Sequence, residues 1–343
     1  MASTGERVLV TGAAGFIGSH VSEALAARGD TVVGVDNMDS FYGRELKERN
    51  LAEVRSSCGG AFSFVEGDIR DAELMGKVMR DEGVTGVVHL AARAGVRPSI
   101  EDPVLYSSVN VVGTSVLLEA SRLAGVGRFV CASSSSVYGN NERVPFSESD
   151  PVEKPISPYA ATKRSCELIG SAHHHLTGTP VAMLRFFTVF GPRQRPDLAI
   201  AKFIRLIGAG ETIPMFGDGT TSRDYTFIDD IVAGVLASYD RVPDFGYRIW
   251  NLGGSRPVEL REMIATVGRV LGVEPRIDRR PMQAGDVQRT YAGVDRSKEE
   301  LGYEAVTGFE EGVRKQAAWW GEAKGAGGGC DGGGDRDAGG SDG

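Results

Sequence analysis

The chain has 343 residues, 41% of them apolar and 24% charged, with a formal net charge of −8. That length can bury a large core and supports about two domains, while the acidic balance argues against nucleic acid as the main partner, because phosphate binding needs a basic face. No run approaches the roughly 18 apolar residues of a membrane span, polar Met1–Arg7 does not read as a signal peptide, and the scattered Cys58, Cys131, Cys166 and Cys330 lack CxxC spacing, which predicts reduced thiols in a cytoplasmic protein rather than disulfides or a metal site.

Arg7–Thr11 reads as a strand and Gly18–Arg28 has helical spacing. Between them runs Gly12-Ala13-Ala14-Gly15-Phe16-Ile17-Gly18. A glycine turn between strand and helix lets the backbone approach a pyrophosphate at the positive helix N-terminus. The GxxGxxG spacing points to the short-chain dehydrogenase class. Thr31–Asp36 is the next strand, and Asp36 closes it. A carboxylate there accepts both hydroxyls of an adenosine ribose and repels a 2′-phosphate, which favours NAD over NADP. Asn37 follows, where no arginine offers itself to such a phosphate. Phe62–Val65, Gly86–Leu90 and Phe129–Ser133 continue the strand series. The alternation predicts an α/β fold, a Rossmann-type doubly wound parallel sheet with helices on both faces. Asp68 and Ile69 are placed either to touch adenine or to form a surface turn. Two long helices are predicted near Tyr106–Leu123 and Ser157–Leu176.

Cys131-Ala132-Ser133-Ser134-Ser135-Ser136-Val137-Tyr138-Gly139 follows an apolar strand, at the sheet edge where ligands bind in open parallel sheets. Tyr159-Ala160-Ala161-Thr162-Lys163 is a YxxxK motif. On a helix its phenol and ammonium share a face. A free phenol titrates near ~10, and a nearby cation lowers that value toward a usable base. From about Gly191 the pattern turns irregular, with one clear helix at Leu260–Leu271 stopping before Gly272. The expected division is a dinucleotide-binding domain over 1–190, a smaller α/β substrate domain over 191–322 with some segments returning to the sheet, and a disordered Gly-rich tail over 323–343.

Taken together in order, the glycine turn, Asp36-Asn37, His89-Leu90-Ala91-Ala92, the serine run, Tyr159/Lys163 and Arg223-Asp224-Tyr225 resemble the extended short-chain dehydrogenases that act on nucleotide sugars. The resemblance reaches to about Trp320. It implies a bound NAD beside Leu90, Ala91 and Ala92, and a homodimer built through the two long helices. It makes Ser134 the catalytic hydroxyl, Tyr159 the acid/base and Lys163 its electrostatic partner. It puts Arg223 on the substrate diphosphate, Asp286 on the nucleotide ribose and Phe216 near the nucleobase. Phe216 as core and Arg223 as a surface ion pair are the competing readings.

Within that family a 4,6-dehydratase carries an Asp-Glu pair before its Val-Tyr-Gly, and a uronate decarboxylase a Glu. Here Ser135 and Ser136 hold those places, which leaves 4-epimerisation as the expected outcome. Asp36-Asn37-Met38-Asp39-Ser40-Phe41-Tyr42, Ala94-Gly95-Val96-Arg97, Leu184–Asp197 and Pro281–Val287 look like UDP-glucuronate 4-epimerases. Phe190 and Pro98 stand where such relatives carry Tyr and an aromatic residue. Arg97, Arg193 and Arg195 offer cations to a sugar carboxylate, and Thr188, Ser134, Ser135 and Ser136 offer hydroxyls. Arg193 and Arg195 are two apart, so an extended segment sends both to one face. The alternatives are a UDP-glucose or UDP-N-acetylhexosamine 4-epimerase, a nucleotide-sugar dehydratase or decarboxylase, and a non-catalytic NAD-binding sensor; retention of Ser134, Tyr159 and Lys163 speaks against the sensor. His173-His174-His175 cannot converge on one metal from a helix. Arg279-Arg280 reads as a solvated turn, and Trp319-Trp320 as packing for the last helix.

Overall fold

In the computed structural model, which describes residues 5–281 and 287–325, β1 (Arg7–Thr11) sends Val8 and Val10 into one core and Leu9 into another. That period-two split lets one strand bury both faces, as a parallel sheet requires. The chain continues through α1 (Phe16–Ala27), β2 (Thr31–Asp36), α2 (Arg44–Cys58), β3 (Phe62–Glu66), α3 (Ala72–Asp81), β4 (Gly86–His89) and the short α4 (Val96–Glu101). One continuous helix, Pro103–Ala124, follows. It comprises α5 (Pro103–Tyr106), a π-helical stretch at Ser107–Val112 and α6 (Gly113–Ala124). Then come β5 (Arg128–Ser134), α7 (Pro158–Thr177), β6 (Val181–Phe186), β7 (Thr188–Phe190), α8 (Ala199–Gly208), β8 (Thr212–Phe216), β9 (Ser222–Phe227), α9 (Ile228–Phe245), β10 (Tyr247–Leu252), β11 (Pro257–Glu259), α10 (Leu260–Leu271), β12 (Arg276–Arg280), α11 (Asp295–Leu301) and α12 (Phe309–Gly325).

Seven parallel strands lie in the order β10-β6-β5-β4-β1-β2-β3. One core joins Val8, Val10 and Val130 to Val21 and Leu25 of α1 and to Ile231 and Val235 of α9. The other joins Leu9, Val87 and Phe129 to Met75 and Met79 of α3 and Leu117 and Leu118 of α6. The register pairs Thr11 with His89, His89 with Cys131, and Ser134 with Phe186. The C-terminal strand ends therefore form one edge, and the loops that leave it carry the site.

The region beyond Gly191 is more regular than its composition suggests. Ile228, Ile231, Val235, Tyr239 and Val242 of α9 are buried at intervals of three or four, a helical stripe. Pro243 sits in the last turn, where it interrupts little. β10 pairs with β6 and so returns to the main sheet. Two small sheets, β11-β9-β7 and β12-β8, complete this half. Arg279 and Arg280 are exposed strand residues of β12, paired with Met215 and Phe216 of β8, and not a turn. Asp224 of β9 is buried and accepts backbone N–H bonds from Gly254 (2.7 Å), Ser255 (3.0 Å) and Ala292 (2.9 Å), which pins the small sheet to its neighbours.

By length and composition alone the helix Pro103–Ala124 is apolar enough to cross a membrane, although polar residues interrupt it and it holds no unbroken apolar run of that length. Its Asn110, Thr114, Leu117, Leu118 and Ser121 are buried, so one face belongs to the core. His173–His175 lie in the last turns of α7, and His174 Nδ1 sits 2.8 Å from the Thr179 carbonyl. Among the described residues no group of three His, Cys, Asp or Glu is arranged to hold a metal. Arg49 lies over the Trp319 ring at 4.6 Å, and Trp320 packs on the first core. Cys58, Cys131 and Cys166 are free thiols; Cys330 and the tail from 326 lie outside the described residues.

Candidate active site

Gly12 takes φ +73°, and a Cβ there would fall 2.9 Å from the Ala91 nitrogen. At Gly18 a Cβ would fall 2.1 Å from the Gly12 oxygen. Neither position tolerates a side chain, so the turn stays open against the start of α1. Gly15 is the N-cap, without a side-chain cap bond, and the first turn holds no acidic residue. The uncapped N–H groups suit a diphosphate. Gly12, Gly15, Phe16, Ile17 and Gly18 all line one cleft of about 400 Å³.

Asp36 reaches the same cleft from the end of β2. It is buried, accepts from the Met38 N–H (2.8 Å) and the Ala14 N–H (3.3 Å), and pairs with Lys47 Nζ at 3.3 Å. Asn37, Asp68 and Ile69 complete that end. Asn37 Nδ2 donates to Asp68 at 3.1 Å, and hydrogen bonds from Arg70 hold the Asp68 carboxyl down at about 2. Asp68 begins a turn, closed by the Asp71 N–H on its carbonyl at 3.0 Å, and that turn lines the cleft. The set fits a dinucleotide, with a backbone cradle for its phosphates and a fixed carboxylate for a ribose.

Leu90, Ala91 and Ala92 form the facing wall. The Leu90 and Ala91 N–H groups both donate to Thr11 Oγ1 at 3.2 Å. His89 sits beneath them, 2.7 Å from Thr11 Oγ1 and 3.0 Å from Thr114 Oγ1. Burial, and then the charge of Lys163, push this imidazole down to about 3. The folded protein therefore keeps His89 neutral, while the unfolded chain binds a proton below ~6.5. This contribution to stability is complete above that pH and is lost as pH falls toward 3. His89→Asn is expected to flatten the acid limb of a denaturation profile, by up to about 1.4 kcal/mol per pH unit. An unchanged slope between pH 6.5 and 4 would show that His89 is not the titrating group.

Tyr159 occupies the second position of α7, after N-cap Ser157 and Pro158. Its backbone N–H donates to Ser99 Oγ at 3.1 Å, and its ring meets Tyr106 edge-on at 6.3 Å. One turn on, Lys163 is buried and donates to the Ala132 carbonyl at 2.7 Å. Ser134 ends β5 and donates to Ser136 Oγ, while accepting from the Ser136 N–H, both at 3.1 Å. Ser133 points the other way, to Glu167 at 2.7 Å. Glu167 also takes two bonds from the buried Arg185. Losing one member of such a pair costs ~3–5 kcal/mol, so this network locks β5, β6 and α7 together behind the site. Ser134, Ser135, Ser136, Tyr159 and Lys163 all line the cleft.

Three supports escaped sequence reasoning. Asn110 sits in the π-helical stretch and donates to the Arg93 carbonyl and Thr162 Oγ1, both at 3.0 Å. Ser99 and Thr11 hold α7 and the β4 loop as described. The signal available for Asn110 was an amide on the same helix face as Thr114, Leu117, Leu118 and Ser121, a face that is otherwise small or apolar.

Thr188 and Arg195 also line the cleft. Arg195 pairs with Asp197 at 2.7 Å, lies over the Phe41 ring at 4.8 Å, and is within electrostatic reach of Tyr159. Arg93 is a further lining cation that the motifs did not reveal; it pairs with Asp39 at 2.9 Å and lies over Phe41 at 5.1 Å. Arg193 corrects the expectation of a shared face. Its φ is +64°, and this left-handed residue breaks the alternation of an extended strand. The side chain is buried against Glu23 and Glu53, away from the cleft. Arg97, Phe216 and Arg223 are not among the residues lining the cleft. Arg97 lies 5.8 Å over the Phe216 ring, which is half-buried and not core. Arg223 is half-buried and donates to the Ser222 carbonyl at 2.9 Å. Asp286 lies outside the described residues.

Residues 9–316 match the family described as GDP-mannose 4,6 dehydratase. The UDP-glucuronate 4-epimerase of Thermodesulfobacterium geofontis is 40% identical over 312 residues, covering 91% of this chain and 95% of that protein. A similar crystal structure is UDP-glucuronic acid 4-epimerase from Bacillus cereus in complex with UDP-glucuronic acid and NAD, with TM-score 0.86, 32% identity, and 92% and 99% of the two chains covered. Another is the UDP-glucose 4-epimerase of Thermotoga maritima with UDP-glucose, with TM-score 0.84, 31% identity, and 93% and 99% covered.

Proposed function

The chain belongs to the GDP-mannose 4,6 dehydratase family of extended short-chain dehydrogenases, and we propose from that membership and from its cleft that it is an NAD-dependent 4-epimerase converting UDP-glucuronate to UDP-galacturonate. One observation carries the reading: a single cleft unites the glycine cradle and Asp36 with Ser134, Tyr159 and Lys163, and adds Thr188 and Arg195 at its sugar end.

The glycine turn, Asp36 and the Leu90–Ala92 wall would hold NAD, which would supply reversible oxidation of the sugar at C4. Tyr159 takes the proton from the 4-hydroxyl and gives it back when the alcohol re-forms. Lys163, anchored on the Ala132 carbonyl, places its charge beside the phenol. Ser134 shares the same proton through its hydroxyl. Ser135 and Ser136 supply no carboxylate for elimination, so the course left to the keto sugar is to regain on its other face the hydride that the nicotinamide would hold, with the proton coming from Tyr159. Arg195, Thr188 and the serines hold the C6 carboxylate by charge-assisted hydrogen bonds. The family resemblance assigns Phe216, Arg223 and Asp286 to the nucleotide end; Arg97, expected at the sugar carboxylate, lies instead over the Phe216 ring.

We further propose a homodimer. Val104, Val112 and Leu123 on Pro103–Ala124 and Leu168 and Leu176 on α7 are large, apolar and exposed. Such a stripe on two adjacent helices suits an isologous interface, and sedimentation equilibrium at the monomer mass would exclude it. Free thiols at Cys58, Cys131 and Cys166 suit a cytoplasmic enzyme.

The functional test is a panel of UDP-sugars incubated with purified protein and no added NAD. Copurified NAD and interconversion of UDP-glucuronate and UDP-galacturonate are expected. Interconversion of UDP-glucose and UDP-galactose alone would replace the uronate reading with that of a neutral-hexose epimerase.

A further inference from the structure

The loop between β7 and α8 sends three consecutive side chains to three different places. Arg195 enters the cleft. Gln194 is buried, donates to the Val189 carbonyl at 2.9 Å, and accepts from Gln316 Nε2 at 2.7 Å and the Ala201 N–H at 3.2 Å. Arg193 runs backward. Its Nε donates to Glu53 of α2 at 2.7 Å, and its two terminal nitrogens donate to Glu23 of α1 at 2.9 and 2.8 Å. His20 of α1 adds a fourth tie, 3.1 Å from the Pro192 carbonyl.

We infer that Arg193 is a positioning residue, whose clamp on Glu23 and Glu53 fixes the 191–198 loop and thereby aims Arg195 at the sugar. The inference rests on the reading that Arg195 holds the sugar carboxylate. The geometry explains why a clamp is needed. Residues 191–198 form no helix or strand, and Arg193 adopts a left-handed backbone, φ +64°, that a non-glycine residue enters only against strain. Something must repay that strain. All three guanidinium nitrogens donating to two carboxylates from different helices provide it. The anchors also matter by their location. α1 begins at the glycine turn and α2 follows the 37–43 loop that carries Phe41. Phe41 is the ring beneath Arg195. The clamp therefore binds the sugar-side loop to the two helices that frame the dinucleotide side, and Arg195 inherits its place from both.

The test compares the full-length wild type with Arg193→Gln, with the double variant Glu23→Gln/Glu53→Gln, and with Arg195→Ala. The double variant keeps the arginine and serves if Arg193→Gln fails to fold. Amide hydrogen exchange is followed in the 191–198 segment, together with the ratio of UDP-pentose to UDP-galacturonate formed from UDP-glucuronate. Loss of the clamp is expected to speed exchange in this segment at least ~10-fold, with α1 and α8 unchanged, and to raise the pentose fraction as Arg195→Ala does. A merely structural role would lower the melting temperature and leave both readouts at wild-type values; that result overturns the inference. So does faster exchange with normal product partitioning while Arg195→Ala shifts it. If the wild type does not act on UDP-glucuronate, the functional reading fails instead, and the exchange data alone decide whether Arg193 orders the loop.

Discussion

Replacing Tyr159 by phenylalanine is expected to lower turnover at least ~100-fold while leaving NAD and UDP-sugar binding near normal. The ring keeps its edge-on contact with Tyr106, and the backbone N–H keeps its bond to Ser99. Only the phenolic oxygen is lost, and with it the group proposed to remove and return the 4-hydroxyl proton. The two groups proposed to act with it are already engaged. Lys163 is committed to the Ala132 carbonyl, and Ser134 is a donor to Ser136. Measured kcat should fall with KM little changed, because the lost interaction acts on the transition state. Near-normal turnover in this variant would mean that the Tyr159–Lys163 pair is not the acid/base.

The second large effect concerns what the enzyme prevents. Oxidation of a uronate at C4 gives a β-keto acid, which loses carbon dioxide readily when its C5–carboxylate bond stands perpendicular to the carbonyl plane. An epimerase must therefore keep that bond in an unproductive orientation while the keto sugar turns over. On the proposed reading that restraint falls to Thr188, Ser134–Ser136 and Arg195, all of which line the cleft. Arg195 is held in turn by Asp197 and the Phe41 ring. Thr188→Ala and Arg195→Ala are each expected to reduce epimerisation by ~10–100-fold, the worth of a charge-assisted hydrogen bond, and to raise the share of UDP-pentose among the products. Mass spectrometry of the product mixture reads this directly. Slower turnover with an unchanged product ratio would show that these residues bind the sugar without restraining its carboxylate.

Much of this protein can be read from its residues alone, and the legible part is the local part. Strand β1, strand β2 and helix α10 have the bounds that periodicity and glycine stops imply. The glycine turn, Asp36, the serine run and the YxxxK pair are each contiguous or one helical turn apart, so their chemistry is written in spacing. Even the helix α9, missed in the irregular half, carries its apolar stripe in the sequence. Tertiary structure decided what spacing cannot. Arg93 and Asn110 acquire their roles from partners distant in the chain: Asp39 is 54 residues away and Thr162 is 52. The two arginines at 193 and 195 show the limit most clearly. Read as an extended segment they share a face. In the folded chain Glu23 and Glu53, 170 and 140 residues upstream, draw Arg193 into a left-handed turn and leave only Arg195 in the cleft. A backbone dihedral at one loop residue is set by whichever long-range contacts offset its strain, and those contacts exist only once α1, α2 and β7 have come together.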